Sequence, residues 1–122
     1  MDQDIAVCNL VVIRARDLDC AKRFYEALGL RFVRHSHGRG PVHLASDERG
    51  PVFEIYPLEE PDLPTSSTRI GFAVPSVYEA YTALLAAGGE TVSAPTDSRW
   101  GRRAVVMDPD GHRVELTACT SN

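Results

Sequence analysis

Lysine is almost missing from this chain: Lys22 is the only one among 13 basic residues, the others being arginines. That bias fits a GC-rich coding background, but it also supplies forked guanidinium groups that grip carboxylates as lysine cannot. Cysteine is scarce too. Cys8, Cys20 and Cys119 are odd in number and lack metal-ligand spacing, which excludes a disulfide framework and a zinc knuckle and points to a reduced, cytoplasmic compartment. None has an activating neighbour in sequence, so a thiol nucleophile is not expected. Net positive charge is absent; the formal charge is −4, against a dedicated nucleic-acid binder. No apolar run approaches the roughly 18 residues of a membrane span. The acidic start, Met1-Asp2-Gln3-Asp4, does not read as a signal peptide. There is no glycine-rich phosphate loop and no Gly-x-Ser-x-Gly elbow. What remains is 122 residues with 43% hydrophobic and 25% charged content, one domain's worth of chain with enough material for a core.

The chain repeats itself. Residues 5–14 are apolar and β-branched, a buried strand. Asp17 offers an N-cap, Ala21, Phe24, Tyr25 and Leu28 fall at helical spacing, and Gly29 stops the helix. The same grammar returns at Arg69–Val74, Ser76, the stripe Val77, Ala80, Tyr81, Leu84 and Leu85, and the stop Gly88-Gly89. Three short strand candidates follow each helix: Leu30–Ser36, Val42–Ala45 and Val52–Pro57, then Thr91–Ala94, Arg102–Met107 and Arg113–Ala118. Turn chemistry separates them at His37–Gly40, Asp47–Gly50 and Asp108–Gly111. Each half therefore reads β-α-β-β-β, at about 5–58 and 68–119, joined by the polar, proline-broken linker Glu59–Ser67. One helix covers only one face of such a sheet. The two modules are expected to pack around a shared cleft, within one chain or across a dimer.

At Asp17-Leu18, Phe24-Tyr25, Leu28-Gly29-Leu30, Trp100-Gly101-Arg102 and above all Asp108-Pro109-Asp110-Gly111-His112-Arg113-Val114-Glu115-Leu116, the sequence resembles the vicinal oxygen chelate superfamily of glyoxalase I, extradiol dioxygenase and bleomycin-resistance proteins. The resemblance covers nearly the whole chain. It implies an α+β fold with tandem βαβββ modules, a cup-shaped mixed sheet and, usually, a homodimer. It also implies where a divalent metal would sit: one ligand on the first strand and one on the last strand of each module. Those positions fall here on Leu10, Glu54, Arg69 and Glu115. Leucine donates nothing to a cation and arginine repels one. A Glu115–Arg69 ion pair is therefore expected where related enzymes hold metal, with no family-type metal cofactor.

Turn geometry adds neighbours. A tight Asp47–Gly50 hairpin puts His43 opposite Glu54, and a tight His37–Gly40 turn puts Arg34 opposite His43. Arg34, His43 and Glu54 would then share one row on the cleft side. Glu54 reads either as a cleft carboxylate or as an edge-exposed surface residue. His43 reads as a hydrogen-bonded partner of Glu54, as an acid or base, or as a metal ligand outside the family pattern. A tight Asp108–Gly111 turn sets Glu115 opposite Ala104 and Thr117 opposite Arg102, bringing Arg102 and Trp100 to the cleft mouth, where Trp100 either packs at a strand start or stacks on a ligand. His35, His37 and His112 read as turn and surface residues. The run Arg99–Arg103 is not read as a nucleic-acid patch, given the acidic balance of the chain.

Two functions are compatible with these residues. The first is a binder of a small organic molecule in the inter-module cleft, of sequestration or resistance type and needing no metal. The second is a metal-dependent lyase, isomerase or dioxygenase using Glu54, Glu115 and His43. A metal-free enzyme with Glu54 or Glu115 as base has no positive support. Leu10 and Arg69 favour the binder. No nucleic-acid or membrane partner is expected.

Overall fold

The computed structural model describes residues 5–47, 50–99 and 101–119. Its elements run β1 (Leu10–Ala15), α1 (Leu18–Glu26), β2 (Val33–His35), β3 (His43–Ser46), β4 (Val52–Pro57), β5 (Arg69–Val74), α2 (Val77–Ala86), β6 (Glu90–Ser98), β7 (Gly101–Met107) and β8 (Arg113–Ala118). Both helices start where the capping chemistry places them. The Asp17 carboxylate accepts the Cys20 N–H at 3.0 Å, and the Ser76 hydroxyl accepts the Glu79 N–H at 3.2 Å. Gly29 and Gly88 follow the helices at φ +94° and +105°, left-handed values that glycine takes without strain.

The strands form two four-stranded mixed sheets, ordered β1-β4-β3-β2 and β5-β8-β7-β6. In each, the first and last strands of a module pair in parallel and the remaining ladders are antiparallel. The helical crossover between the first two strands of a module makes the parallel pair possible. Three strands depart from the sequence expectation by more than one residue, and β3 and β7 by one. β1 begins only at Leu10, because its partner β4 starts at Val52 after Gly50-Pro51. β2 is reduced to Val33–His35, and β6 runs on to Ser98 through two register shifts, the second of which spans Pro95, which has no N–H to donate.

Alternation then sorts each sheet into two faces. Ile13, Ala15, Phe53, Ile55, Val74, Ala104, Val106, Val114 and Leu116 point to the helix-bearing faces and are buried in one shared core with Phe24, Tyr25 and Leu84. Tyr25 stands between the modules, its ring 5.1 Å from Phe53 and 6.2 Å from Phe72. The modules thus meet through their helix-bearing faces. The opposite faces, carrying Leu10, Val12, Glu54, Arg69 and Glu115, are turned outward. Among the described residues, no helix is long and apolar enough to cross a membrane.

Candidate functional site

In the second module, Glu115 is the centre of a charge cluster. Its parallel neighbour on β5 is Gly71, not Arg69. Arg69 reaches it diagonally, with Nη1 donating to Oε1 at 3.1 Å, so the expected ion pair forms. A second guanidinium joins: Arg103 donates from Nε to Oε2 at 3.1 Å and from Nη2 to Oε1 at 3.2 Å, a forked grip. The Arg103 hydrogen bonds lead, and with the charges of Arg103 and Arg69 they outweigh burial and hold the Glu115 carboxyl below its usual range. Arg103 is the residue that sequence reasoning missed. The β7–β8 loop is one residue longer than a tight turn, so Glu115 faces Val105 rather than Ala104, and Thr117 faces Arg103 rather than Arg102. A slip of one residue exchanges the faces of a strand. Arg102 consequently lies on the other face and pairs with Asp97 at 3.0 Å. Trp100 lies outside the described residues.

In the first module, the sheet brings His43 and Glu54 together, Nε2 to Oε2 at 3.9 Å. They are diagonal rather than opposite, since Glu54 pairs with Ala45. His43 is only 2% exposed, covered by Tyr56, whose ring stacks on it at 4.2 Å and 4°. Arg34 is not in that row. It pairs with Leu44, points to the helix side and donates to Asp19 at 2.6 Å. His35 takes the place expected of Arg34, directly opposite His43. Leu10 is half exposed on the same outward face; the strand neighbour of Glu54 is Val12. His112, expected at the surface, is fully buried and bonded to Asp108 and Thr65. The extra residue of the β7–β8 loop carries its ring inward.

A groove of about 890 Å³ opens between the modules. Val11, Leu28, Leu30, Phe53, Ile70 and Phe72 give it apolar walls, and among the described candidate residues only Arg69 lines it. Its size is that of a small-molecule site. Leu10, His43, Glu54 and Glu115 stand on the outward faces instead, and Arg34 and Arg102 on the helix-bearing side.

Both modules repeat one βαβββ plan, and residues 8–116 match the model of the Glyoxalase/Bleomycin resistance protein/Dioxygenase superfamily. The chain belongs to that superfamily. Solved structures share the glyoxalase-like fold. TioX from a Micromonospora species is 24% identical with TM-score 0.71, over 93% of this chain and 98% of that one. A superfamily member from Sphaerobacter thermophilus is 21% identical with TM-score 0.73, over 95% and 99%. A glyoxalase I mutant from Zea mays is 21% identical with TM-score 0.74, over 90% of this chain and 46% of that one. No curated protein matches the chain at a significant level. Identities this low show the fold alone.

The superfamily's metal position can be tested on the chemistry present here. Leu10 offers no donor, Arg69 brings a fixed positive charge, and both oxygens of Glu115 are taken by guanidinium groups. These residues do not fit a four-ligand divalent ion.

Proposed function

We propose that this superfamily member binds a small organic molecule in the cleft between its modules, as a sequestration or resistance type of protein, and uses no metal at the superfamily position. The observation that carries this reading is the clamp of Arg69 and Arg103 on Glu115, with Arg69 also lining the apolar groove. A guanidinium at that place neutralises the carboxylate as a cation would, and Arg69 offers a charged anchor beside apolar walls. The ligand class is an apolar or aromatic molecule with an anionic group. A homodimer and a reducing, cytoplasmic setting complete the proposal, the latter supported by the free thiols of Cys8, Cys20 and Cys119.

A thermal-shift screen of aromatic carboxylates against the chain tests this. A ligand at about 100 times its Kd stabilises the fold by about 2.7 kcal/mol, and Arg69→Met should remove the preference for the anion. Turnover that needs a metal, with that metal lost in Glu115→Gln, would replace the binder by the metal-dependent lyase, isomerase or dioxygenase.

A further inference from the structure

We propose that His35, His37, His43 and Glu54 form a site for a divalent transition ion of the zinc type on the outward face of the first sheet. Its nitrogen donors come from β2, the turn after it and β3. The superfamily position draws on the first and last strands of each module, and only Glu54 is common to both. The proposal does not depend on the ligand-binding reading.

Three imidazoles gather here. His35 and His43 are direct cross-strand partners, and His37 follows His35 at the spacing that returns a side chain to the same side of an extended chain. The ring centroids are 5.8 Å apart for His35 and His43, 5.3 Å for His37 and His43, and 5.6 Å for His35 and His37. Metal–nitrogen bonds of about 2.0–2.1 Å place the centroids of two tetrahedrally bound imidazoles roughly 5 Å apart. The cluster is within an ångström of that spacing, but the His35 ring lies nearly parallel to those of His43 and His37, at 19° and 22°, and has to turn before the nitrogens aim at one ion. Imidazole with one carboxylate suits borderline ions such as zinc, nickel and copper.

The orientation of His43 is the second, independent observation. Its Nδ1 lies 3.3 Å from the Pro41 carbonyl oxygen. A carbonyl only accepts, so Nδ1 is the nitrogen that donates there and Nε2 is the one left to ligate a metal. Metal-bound histidines are held this way, by a second-shell acceptor on the far nitrogen. The Nε2 faces Glu54 Oε2 at 3.9 Å. Two electron-pair donors thus lie across a gap too long for a hydrogen bond and about half an ångström wider than the roughly 3.4 Å between two donors on one tetrahedral ion, a difference that a small side-chain adjustment closes. Tyr56, stacked on the ring, fixes it in that pose.

Among the described residues, no three donors converge on one point as they stand. Binding therefore has to turn the half-buried His35 and the exposed His37 toward His43. Both sit at the open end of β2, before a turn in which Gly38 has φ +57°. The movement required is rotation of two outlying side chains toward the buried His43 and the half-buried Glu54.

The test is a calorimetric titration of the untagged full chain with Zn²⁺ after chelator dialysis. The expected result is one equivalent per chain. Affinity should fall about tenfold or more in both His35→Ala and His37→Ala, whose positions lie outside the core, and stay within about twofold in Glu115→Gln. Co²⁺ in place of Zn²⁺ should give the visible absorption of a tetrahedral nitrogen–oxygen site. Absence of saturable binding, binding indifferent to both histidine substitutions, or binding lost in Glu115→Gln would each overturn the proposal. None of these results bears on the thermal-shift outcome for organic ligands, so the two readings fail separately.

Discussion

Asp108 joins the two modules through a single carboxylate. Its Oδ2 accepts the Tyr25 hydroxyl of α1 at 2.6 Å and the His112 Nδ1–H at 2.8 Å, while Oδ1 accepts the backbone N–H groups of Asp110 and His112. His112 Nε2 meets the Thr65 hydroxyl at 2.6 Å, and that oxygen accepts the Arg14 N–H of β1. Burial by itself would raise the Asp108 carboxyl; the hydrogen bonds from His112 and Tyr25, with the His112 ring, overcome it, and the net direction is down. Tyr25 moves the other way: burial first, then the Asp108 charge and hydrogen bond, hold its hydroxyl well above the usual phenol value. The signs follow. As pH falls, the unfolded chain takes up the Asp108 proton before the folded one, so stability is lost below the ordinary carboxylate range. As pH rises past about 10, the unfolded chain gives up the Tyr25 proton first, and stability is lost again. A melting-temperature profile from pH 2 to 11 should show both arms, and Asp108→Asn should flatten the acid one. Urea unfolding should show Asp108→Asn costing about 2–4 kcal/mol and Tyr25→Phe about 1 kcal/mol.

Elements were more legible than their registers. The helix positions, the order of strands and the β-α-β-β-β repeat follow from apolar spacing, caps and turn residues, all local signals. Register depends on how many residues a loop holds, and contacts made by the loop's own side chains, some of them distant in sequence, bear on that. His112 is the example: its ring is drawn to Asp108 and Thr65, the β7–β8 loop gains one residue, and Arg103 rather than Arg102 reaches Glu115. The β2–β3 turn slips by one in the same way and replaces Arg34 with His35. The β3–β4 loop is longer by an even count, so His43 and Glu54 kept a common face. Charge type at the first-strand positions was legible at once, since Arg69 needed only to be read. Close approach of elements was not: a Cβ on Gly89 would lie 2.5 Å from Val106, 2.9 Å from the Leu84 carbonyl and 2.9 Å from Phe24. Glycine there lets the end of α2 meet both β7 and α1. Gly89→Ala should cost about 1–3 kcal/mol in chemical denaturation through overpacking, whereas Ser76→Ala should cost about 1 kcal/mol through the lost cap.

Across the whole molecule, both outward sheet faces carry exposed positions among the described residues. Leu10 and Val12 are 50% and 39% exposed on one of them, and β1 and β5 are each an edge strand of their sheet among the described residues. Apolar side chains beside free strand edges favour association. A second copy that laid its second module against this first module would cover Val12 and bring the Arg69–Glu115 cluster toward His43 and Glu54. Sedimentation should accordingly report a dimer at micromolar concentration. Val12→Lys is the informative variant. Its ammonium would stand beside Glu54, its strand neighbour, so the isolated fold gains no repulsion, but docking would bury the charge. The expected outcome is a folded monomer with an unchanged circular dichroism spectrum. Ligand stabilisation measured on that monomer then locates the site. If it persists, the groove along β5 within one chain suffices; if it disappears with the dimer, the organic ligand sits between outward faces of two copies. A Val12→Lys chain that still sediments as a dimer would show that association uses another surface.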